Sequence, residues 1–151
     1  MFLLSIFLQV LIAWLYGHVL EYFLHRVMHD YKHFPFFFKH HFSGHHKIAR
    51  QNQMKDKSYI NVFTKSSLFE FLGLSIGLII HLPILLIFPF AYITLVISVV
   101  QYYYLHRKSH IDVEWGKKSM PWHYNHHMGK DQHENWGVRS NVIDQLVKSL
   151  S

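Results

Sequence analysis

Two long apolar stretches alternate with two polar segments along the chain. Residues 2–24 are apolar except at Ser5, Gln9, His18 and Glu21. At about 1.5 Å rise per residue, a helix over this stretch reaches about 35 Å, enough to cross the hydrocarbon core of a bilayer. A cleaved signal peptide would carry a basic start and a small-residue cleavage site, which the stretch lacks. The pattern therefore predicts a retained transmembrane helix.

The second apolar stretch, residues 67–105, contains no Lys or Arg but has Pro83 and Pro89 near its middle. As one straight helix it would be about 58 Å long, far more than one bilayer core requires. Proline inside a helix breaks or kinks it. We therefore predict two antiparallel helices, 67–82 and 90–105, that turn between the two prolines.

The positive charges lie outside both apolar stretches. All 15 Lys and Arg fall within residues 26–65 and 107–148, and such basic segments stay on the cytoplasmic side of a membrane. They are not arranged along a helix or sheet that could read nucleic acid, so no nucleic-acid partner is expected. The sequence predicts one all-α integral membrane domain, 1–151, with about three transmembrane helices (one plus a hairpin) and a cytoplasmic helical cap formed by 25–66 and 106–151.

Ten of the 15 histidines form four clusters. The first and third clusters are pairs one helical turn apart, and the second is such a pair followed by another histidine. The fourth stands at i, i+3 and i+4 on a helix that Pro121 is suited to begin. The clusters are His25-Arg-Val-Met-His29, His41-Phe-Ser-Gly-His45-His46, His106-Arg-Lys-Ser-His110 and His123-Tyr-Asn-His126-His127.

These clusters predict a metal site. Imidazole suits Fe, Zn, Cu or Ni, and a chain without Cys has no thiolate ligand. A mononuclear zinc site needs three or four ligands, so ten histidines are too many for one ion and about right for two. We expect a dimetal site in the cytoplasmic cap.

Three of the remaining histidines are interpreted as bystanders. His41 aligns with His45 at i, i+4 better than His40 does, so we take His41 as the ligand. His33 has no partner at helical spacing. His18 lies deeper in the first apolar stretch and is interpreted as a polar residue with a hydrogen-bond partner.

Three ionisable residues in the apolar stretches have two interpretations each. Glu21, one turn before His25, either orients that imidazole or reaches for water at the membrane boundary. Glu70 and His81 are functional candidates because ionisable residues inside membranes usually are. Both lie near an end of a predicted helix, so contact with solvent is the other interpretation.

In this order and between hydrophobic segments, the four clusters resemble the fatty acid hydroxylase/sterol desaturase superfamily of histidine-rich, non-haem di-iron membrane oxygenases. The resemblance runs from about Glu21 to Asp144 and is most specific in residues 121–138, PWHYNHHMGKDQHENWGV. It implies hydroxylation or desaturation of a lipid such as a fatty acyl chain or sterol. It also implies metal ligation by His25, His29, His41, His45, His46, His106, His110, His123, His126 and His127.

The resemblance further implies cofactors and partners. Two iron ions and the co-substrate O2 are expected, and zinc can occupy the site in purified protein because it ranks above iron in affinity. The chain has no cytochrome b5-like haem domain, so we expect a separate electron donor such as cytochrome b5 or a ferredoxin. The expected location is a bacterial inner membrane or the endoplasmic reticulum, with the histidine clusters in the cytoplasm.

Two departures from the family pattern matter. Many members have H-x-x-H-H as the second cluster, whereas this chain has H-x-x-x-H-H. The family pattern therefore does not decide whether His40 or His41 is the ligand. The third cluster begins His106-Arg107, where small carotenoid hydroxylases usually have His-Asp, and this disfavours a carotenoid substrate.

Two other functions would use similar residues. A membrane zinc hydrolase needs a carboxylate base, for which Asp30, Asp112 and Glu134 are available, although none stands in a known motif. A metal transporter should place His and carboxylates along its membrane spans, whereas the clusters lie outside them.

Overall fold

The computed structural model describes residues 1–148, and every regular element within them is helical. The predicted all-α fold is confirmed, while the last three residues of the predicted segment 106–151 lie outside the described range. In chain order the elements are α1 Phe2–Val27, α2 Pro35–His40, a π-helix His41–His46, α3 Lys47–Gln51, a 3₁₀ helix Lys57–Ile60, α4 Lys65–Ile80, α5 Pro83–Ile87, α6 Pro89–Ile111, α7 Val113–Ser119, α8 Pro121–Met128 and α9 Val142–Leu146.

Helix α1 corresponds to the first apolar stretch and packs along α6. Among the described helices, it alone has both the length and the hydropathy of a membrane span. It ends at Val27, so His29 lies in the turn that follows, where its N–H bonds to the carbonyl of Arg26. His29 is therefore not on α1 itself, although the ring centroids of His25 and His29 are only 5.6 Å apart.

The second apolar stretch folds as a helical hairpin of α4 and α6 with the short α5 between them. Pro83 and Pro89 each stand in the first turn of a helix, where a missing N–H costs nothing. Helix α6 continues well past the predicted end at residue 105. The third histidine cluster therefore lies on the same rigid helix as the apolar segment.

The tip of this hairpin lies beside the middle of α1. The Tyr16 hydroxyl donates to Nε2 of His81 at 2.8 Å, while Nδ1 of His81 donates to the Gly77 carbonyl at 2.7 Å. The Phe90 N–H donates to the Gln9 side chain at 3.2 Å. The turn is therefore held against α1 by polar contacts between two apolar helices.

The distribution of polarity is the reverse of that in a water-soluble domain. All ten histidines of the four clusters are buried. Large apolar side chains on α1 and the hairpin are instead exposed, among them Ile80 at 69% and Leu86 at 87%. Extended apolar surface of this kind marks contact with a membrane or a partner.

Candidate metal centre

The second histidine cluster is shaped by the π-helix. Its i to i+5 hydrogen bonds give about 4.4 residues per turn, so His45 and His46 both lie within about 50° of His41 around the axis. In an α-helix His46 would stand about 140° from His41, on a different face. The wide turn of the π-helix thus accommodates the extra residue of H-x-x-x-H-H, and all three imidazoles point toward the buried histidine clusters.

The structure separates His41 from its neighbour His40. His41 is buried among the other cluster histidines, with its ring centroid 4.8 Å from that of His25. The ring of His40 instead stacks on Phe69, with centroids 4.6 Å apart and planes at 19°. Of the two residues, His41 is the one that joins the cluster.

Nine of the ten predicted ligands form two groups of donor nitrogens, and within each group the nitrogens lie within 4.8 Å of one another. The groups adjoin, because the ring centroids of His46 and His127 are 4.0 Å apart. The first group is His25, His29, His41, His46 and His126, and the second group is His45, His106, His110 and His127.

His123 is the tenth predicted ligand and belongs to neither group by donor distance. Its ring is fully buried, 4.7 Å from the ring of His127 and 5.0 Å from that of His106. Among the described residues, neither of its nitrogens has a hydrogen-bond partner. His123 therefore borders the second group with both nitrogens unpaired.

The spacing of the nitrogens fits metal ions. In the first group, Nε2 of His46 lies 3.2 Å from Nε2 of both His29 and His126. Nitrogens that share a metal ion at about 2.1 Å stand about 3.0 to 3.4 Å apart. In the second group, the buried Nε2 atoms have no hydrogen-bond partner among the described residues, whereas buried polar atoms are normally paired. These unpaired atoms belong to His45, His106 and His110.

Backbone carbonyls orient the first group. Nδ1 of His25 donates to the Trp136 carbonyl at 2.7 Å, and Nδ1 of His126 donates to the Glu134 carbonyl at 2.6 Å. Metal-binding histidines commonly donate their other ring N–H in this way, which fixes the tautomer and the ring orientation. The segment that follows α8 therefore supplies the backbone carbonyls that orient two imidazoles.

Glu21 and Asp144 hold this segment in place. Glu21 accepts the N–H groups of Val138 at 2.5 Å and Arg139 at 2.9 Å, and the Arg139 guanidinium at 2.6 Å. Asp144 accepts the N–H groups of Trp136 and Gly137 at 2.7 and 2.8 Å. Glu21 is buried, so the interpretation that it reaches for water is wrong. It has no direct bond to His25 but holds the segment whose Trp136 carbonyl accepts the His25 N–H.

Carboxylates orient the second group. Nδ1 of His106 lies 2.8 Å from Oε1 of Glu70, and Nδ1 of His45 lies 3.3 Å from Oδ2 of Asp56. Nδ1 of His110 donates to the Met54 carbonyl at 2.8 Å. The Glu70 side chain is only 12% exposed, so it serves the cluster rather than solvent.

Asp56 went unnoticed in the sequence because it lies in a segment without helical periodicity. Its carboxylate also accepts the Ser58 N–H at 2.9 Å and is almost fully buried. Burial raises the pKa of Asp56, but the hydrogen bonds with His45 and Ser58 outweigh that effect and bring the pKa down to about 2. Asp56 is therefore an anion next to the second group.

Burial favours the neutral form of several cluster imidazoles. Outside the apolar stretches, burial holds several histidine pKa values well below 6.5, and the neighbouring imidazoles add to the shift. The neutral imidazole is the form that binds metal, so no proton has to leave first. The histidines affected in this way include His41, His46, His123, His126 and His127.

The other polar candidates have separate partners. His18 is buried and its Nδ1 lies 3.3 Å from the Ser140 hydroxyl, which confirms that it has a polar partner. His33 is exposed and bonds to Asp30 at 2.7 Å. The Asp112 carboxylate accepts the N–H of Trp115 as the cap of α7.

An open cleft of about 430 Å³ reaches the first group at His29. Its walls combine aromatic and aliphatic side chains with a few polar ones. They are Phe23, Arg26, Val27, His29, Asp30, Phe34, His133 and Trp136.

Comparison with known proteins agrees with this site. The model of the fatty acid hydroxylase family matches residues 10–149, which include all four histidine clusters. No curated protein and no solved structure gives a significant match. The family implies an oxidoreductase that acts on lipids and is typically membrane-bound. Since the match covers nearly the whole sequence, the chain belongs to the fatty acid hydroxylase family.

Proposed function

We propose that the protein is an O2-dependent di-iron enzyme that hydroxylates or desaturates a C–H bond of a membrane lipid, such as a fatty acyl chain or sterol. The observation that carries the proposal is the pair of adjoining groups of buried imidazoles in a member of the fatty acid hydroxylase family. Carboxylate-rich di-iron bundles neutralise their metals with acidic ligands. Here the proposed ligands are all imidazoles, and the carboxylates Asp56 and Glu70 contact the Nδ1 atoms of His45 and His106.

Each group would hold one iron ion. We also retain His123 as a ligand of the second ion, because its unpaired nitrogens border that group. When bound, the iron pair supplies the activation of O2. The chain contributes imidazoles fixed by hydrogen bonds and an interior that excludes water, so the reacting groups meet in a set orientation. Electrons would come from a separate donor, such as cytochrome b5 or a ferredoxin.

The exposed apolar surfaces support a membrane location. We propose that α1 and the α4–α6 hairpin enter the bilayer from one side, with residues 25–66 and 106–151 forming a cytoplasmic cap within a single domain. From Gln9 to His25 α1 rises about 24 Å, and the hairpin tip contacts α1 at Gln9. The tip would therefore lie in the far leaflet of a bacterial inner membrane or of the endoplasmic reticulum.

The cleft at His29 is the proposed entry for the lipid. Phe23, Phe34 and Trp136 supply apolar walls suited to an alkyl chain. Phe23 lies near the C-terminal end of α1, which in this proposal meets the cytoplasmic surface of the membrane. A lipid that slides in from the bilayer would meet the first group of imidazoles without crossing water.

Lipid mass spectrometry of cells with and without the protein tests the proposed activity. We expect a lipid that has gained one oxygen atom or lost two hydrogen atoms, and cells with a His127→Ala variant should lack it. With purified protein, we expect two metal ions per chain and activity only with ferrous iron, reductant and O2. Full activity with zinc and without O2 would instead identify a hydrolase.

A further inference from the structure

The two histidine groups differ in the charge of the groups behind them. In the first group, Nδ1 of His25 and of His126 bond to neutral backbone carbonyls. In the second group, Nδ1 of His45 and of His106 face carboxylates, at 3.3 and 2.8 Å. Each of these carboxylates is one imidazole ring away from the donor nitrogens of the second group.

Neither carboxylate forms an ion pair with a Lys or Arg among the described residues. Among the described residues, the ion pairs of Asp56 and Glu70 are with His45 and His106, which carry charge only when protonated. Glu21 offers the contrast, because its buried carboxylate is already neutralised by Arg139 at 2.6 Å. A buried carboxylate without a bonded counter-charge is unfavourable, so positive charge on the second group would stabilise Asp56 and Glu70.

A divalent cation on the second group would supply that charge. A carboxylate that accepts the ring N–H of a metal-binding histidine makes the imidazole a stronger donor, and losing such a partner commonly weakens metal binding by about 10- to 100-fold. The carbonyl acceptors of the first group give orientation without net charge. The first and second groups should therefore bind a metal ion with different affinities.

We propose that the second group, His45, His106, His110 and His127, binds a divalent cation more tightly than the first group and fills first, with Asp56 and Glu70 as the positioning residues that set this order. The inference rests on the binuclear site proposed above. It adds that the two metal positions are unequal, and that the inequality originates in two residues that are not ligands.

Titration of the metal-free protein with Co²⁺ alone measures both affinities without requiring activity. We expect two binding phases of unequal affinity. His110→Ala should remove the tight phase, and His41→Ala should remove the weak one. Asp56→Asn and Glu70→Gln, which keep the shape of each side chain, should each weaken the tight phase by about 10- to 100-fold and leave the weak phase unchanged.

Asp30→Asn is the matched control. Asp30 also accepts a ring N–H, but from the exposed His33, which belongs to neither group. Like Asp56→Asn, the Asp30→Asn variant loses one negative charge from a carboxylate that accepts a histidine N–H. Both binding phases should nevertheless keep the affinities of the unaltered protein. A loss of the tight phase in Asp30→Asn equal to that in Asp56→Asn would overturn the role assigned to Asp56.

The unaltered protein gives a test that does not depend on variant folding. With half an equivalent of ferrous iron plus ascorbate and O2, metal-catalysed oxidation should mark the histidines of the second group, as located by peptide mass spectrometry. Oxidation centred on His29 and His41, or two equal phases in the titration, would overturn the inference while leaving the binuclear site intact. Binding of a single ion would overturn both.

Discussion

Glu21 and Arg139 form a buried ion pair, with Oε2 and Nε 2.6 Å apart, that joins α1 to a segment 118 residues later in the chain. The same carboxylate accepts the backbone N–H groups of Val138 and Arg139. Because Trp136 lies just before these residues, its carbonyl is fixed where it accepts the N–H of His25. One imidazole of the cluster is thus oriented through an ion pair that does not touch it.

Glu21→Gln tests this brace. The change leaves Arg139 as an unpaired buried charge, and removal of one partner from a buried pair typically costs about 3–5 kcal/mol. We expect a loss of that order in the free energy of unfolding, measured by denaturant in detergent. The double variant Glu21→Gln/Arg139→Met removes both charges and should recover part of the loss. Equal stability of Glu21→Gln and the unaltered protein would show that the pair does not brace the segment.

Single Ala substitutions separate ligands from bystanders. His45→Ala, His110→Ala and His127→Ala each remove a buried imidazole from the second group and should lower bound metal from two ions toward one. Their activity loss should exceed the about 10- to 100-fold effect typical of residues that only orient a ligand. Elemental analysis and product formation give the two readouts.

His33→Ala is the control for that series. His33 is exposed and bonded to Asp30, outside both groups. Its metal content and activity should stay close to those of the unaltered protein. Equal losses in His33→Ala and His127→Ala would mean that the division of the histidines is wrong.

A deletion tests the role of the π-helix. Removal of Ser43 converts H-x-x-x-H-H into H-x-x-H-H, and an ordinary α-helical turn then keeps all three imidazoles on one face. We expect this variant to retain two metal ions. Deletion of Lys108 between His106 and His110 is the control, because α6 has no wide turn to absorb it. If the Ser43 deletion loses as much metal as the Lys108 deletion, the π-helix does more than accommodate one extra residue.

Helical periodicity and proline positions were sufficient to predict much of this chain. They gave α1, the hairpin and α8, because each of those elements repeats with the usual α-helical period. The π-helix has a different period, so the shared direction of His41 and His46 was not visible. Asp56 was missed, and the partners of the candidates Glu70 and Glu21 were not identified, because these contacts join residues outside any local helical pattern. No local pattern encodes such contacts.

Cysteine labelling tests the proposed sidedness. The chain has no Cys, so single Cys residues at Lys55 and Lys118 report without background. Both should resist an impermeant thiol reagent in intact cells and react after the membrane is opened. A Cys at Phe2, at the other end of α1, should react in intact cells. Labelling at Lys55 or Lys118 in intact cells contradicts a cytoplasmic cap.

The buried imidazoles predict how the stability of the metal-free protein depends on pH. The pKa values of His41, His46 and His126 are held well below 6.5 in the folded state by burial. Below about pH 6.5 the unfolded chain therefore binds protons that the folded chain does not, and this favours unfolding. The stabilising effect of neutral histidines is fully present above pH 6.5 and declines as the pH falls toward the folded-state pKa values.

Each histidine that stays neutral in the folded state and is protonated in the unfolded state contributes about 1.4 kcal/mol per pH unit. Denaturant unfolding of the metal-free protein at pH 7.5, 6.0 and 5.0 should therefore show a steep loss of stability below pH 6.5. His123→Leu removes one such group, whose pKa is also held low by burial, and should reduce the slope by about that amount. A stability that does not change between pH 7.5 and 5.0 would mean that the imidazoles can be protonated within the fold, and the cluster would then not be the dry, neutral ligand set that a buried dimetal site requires.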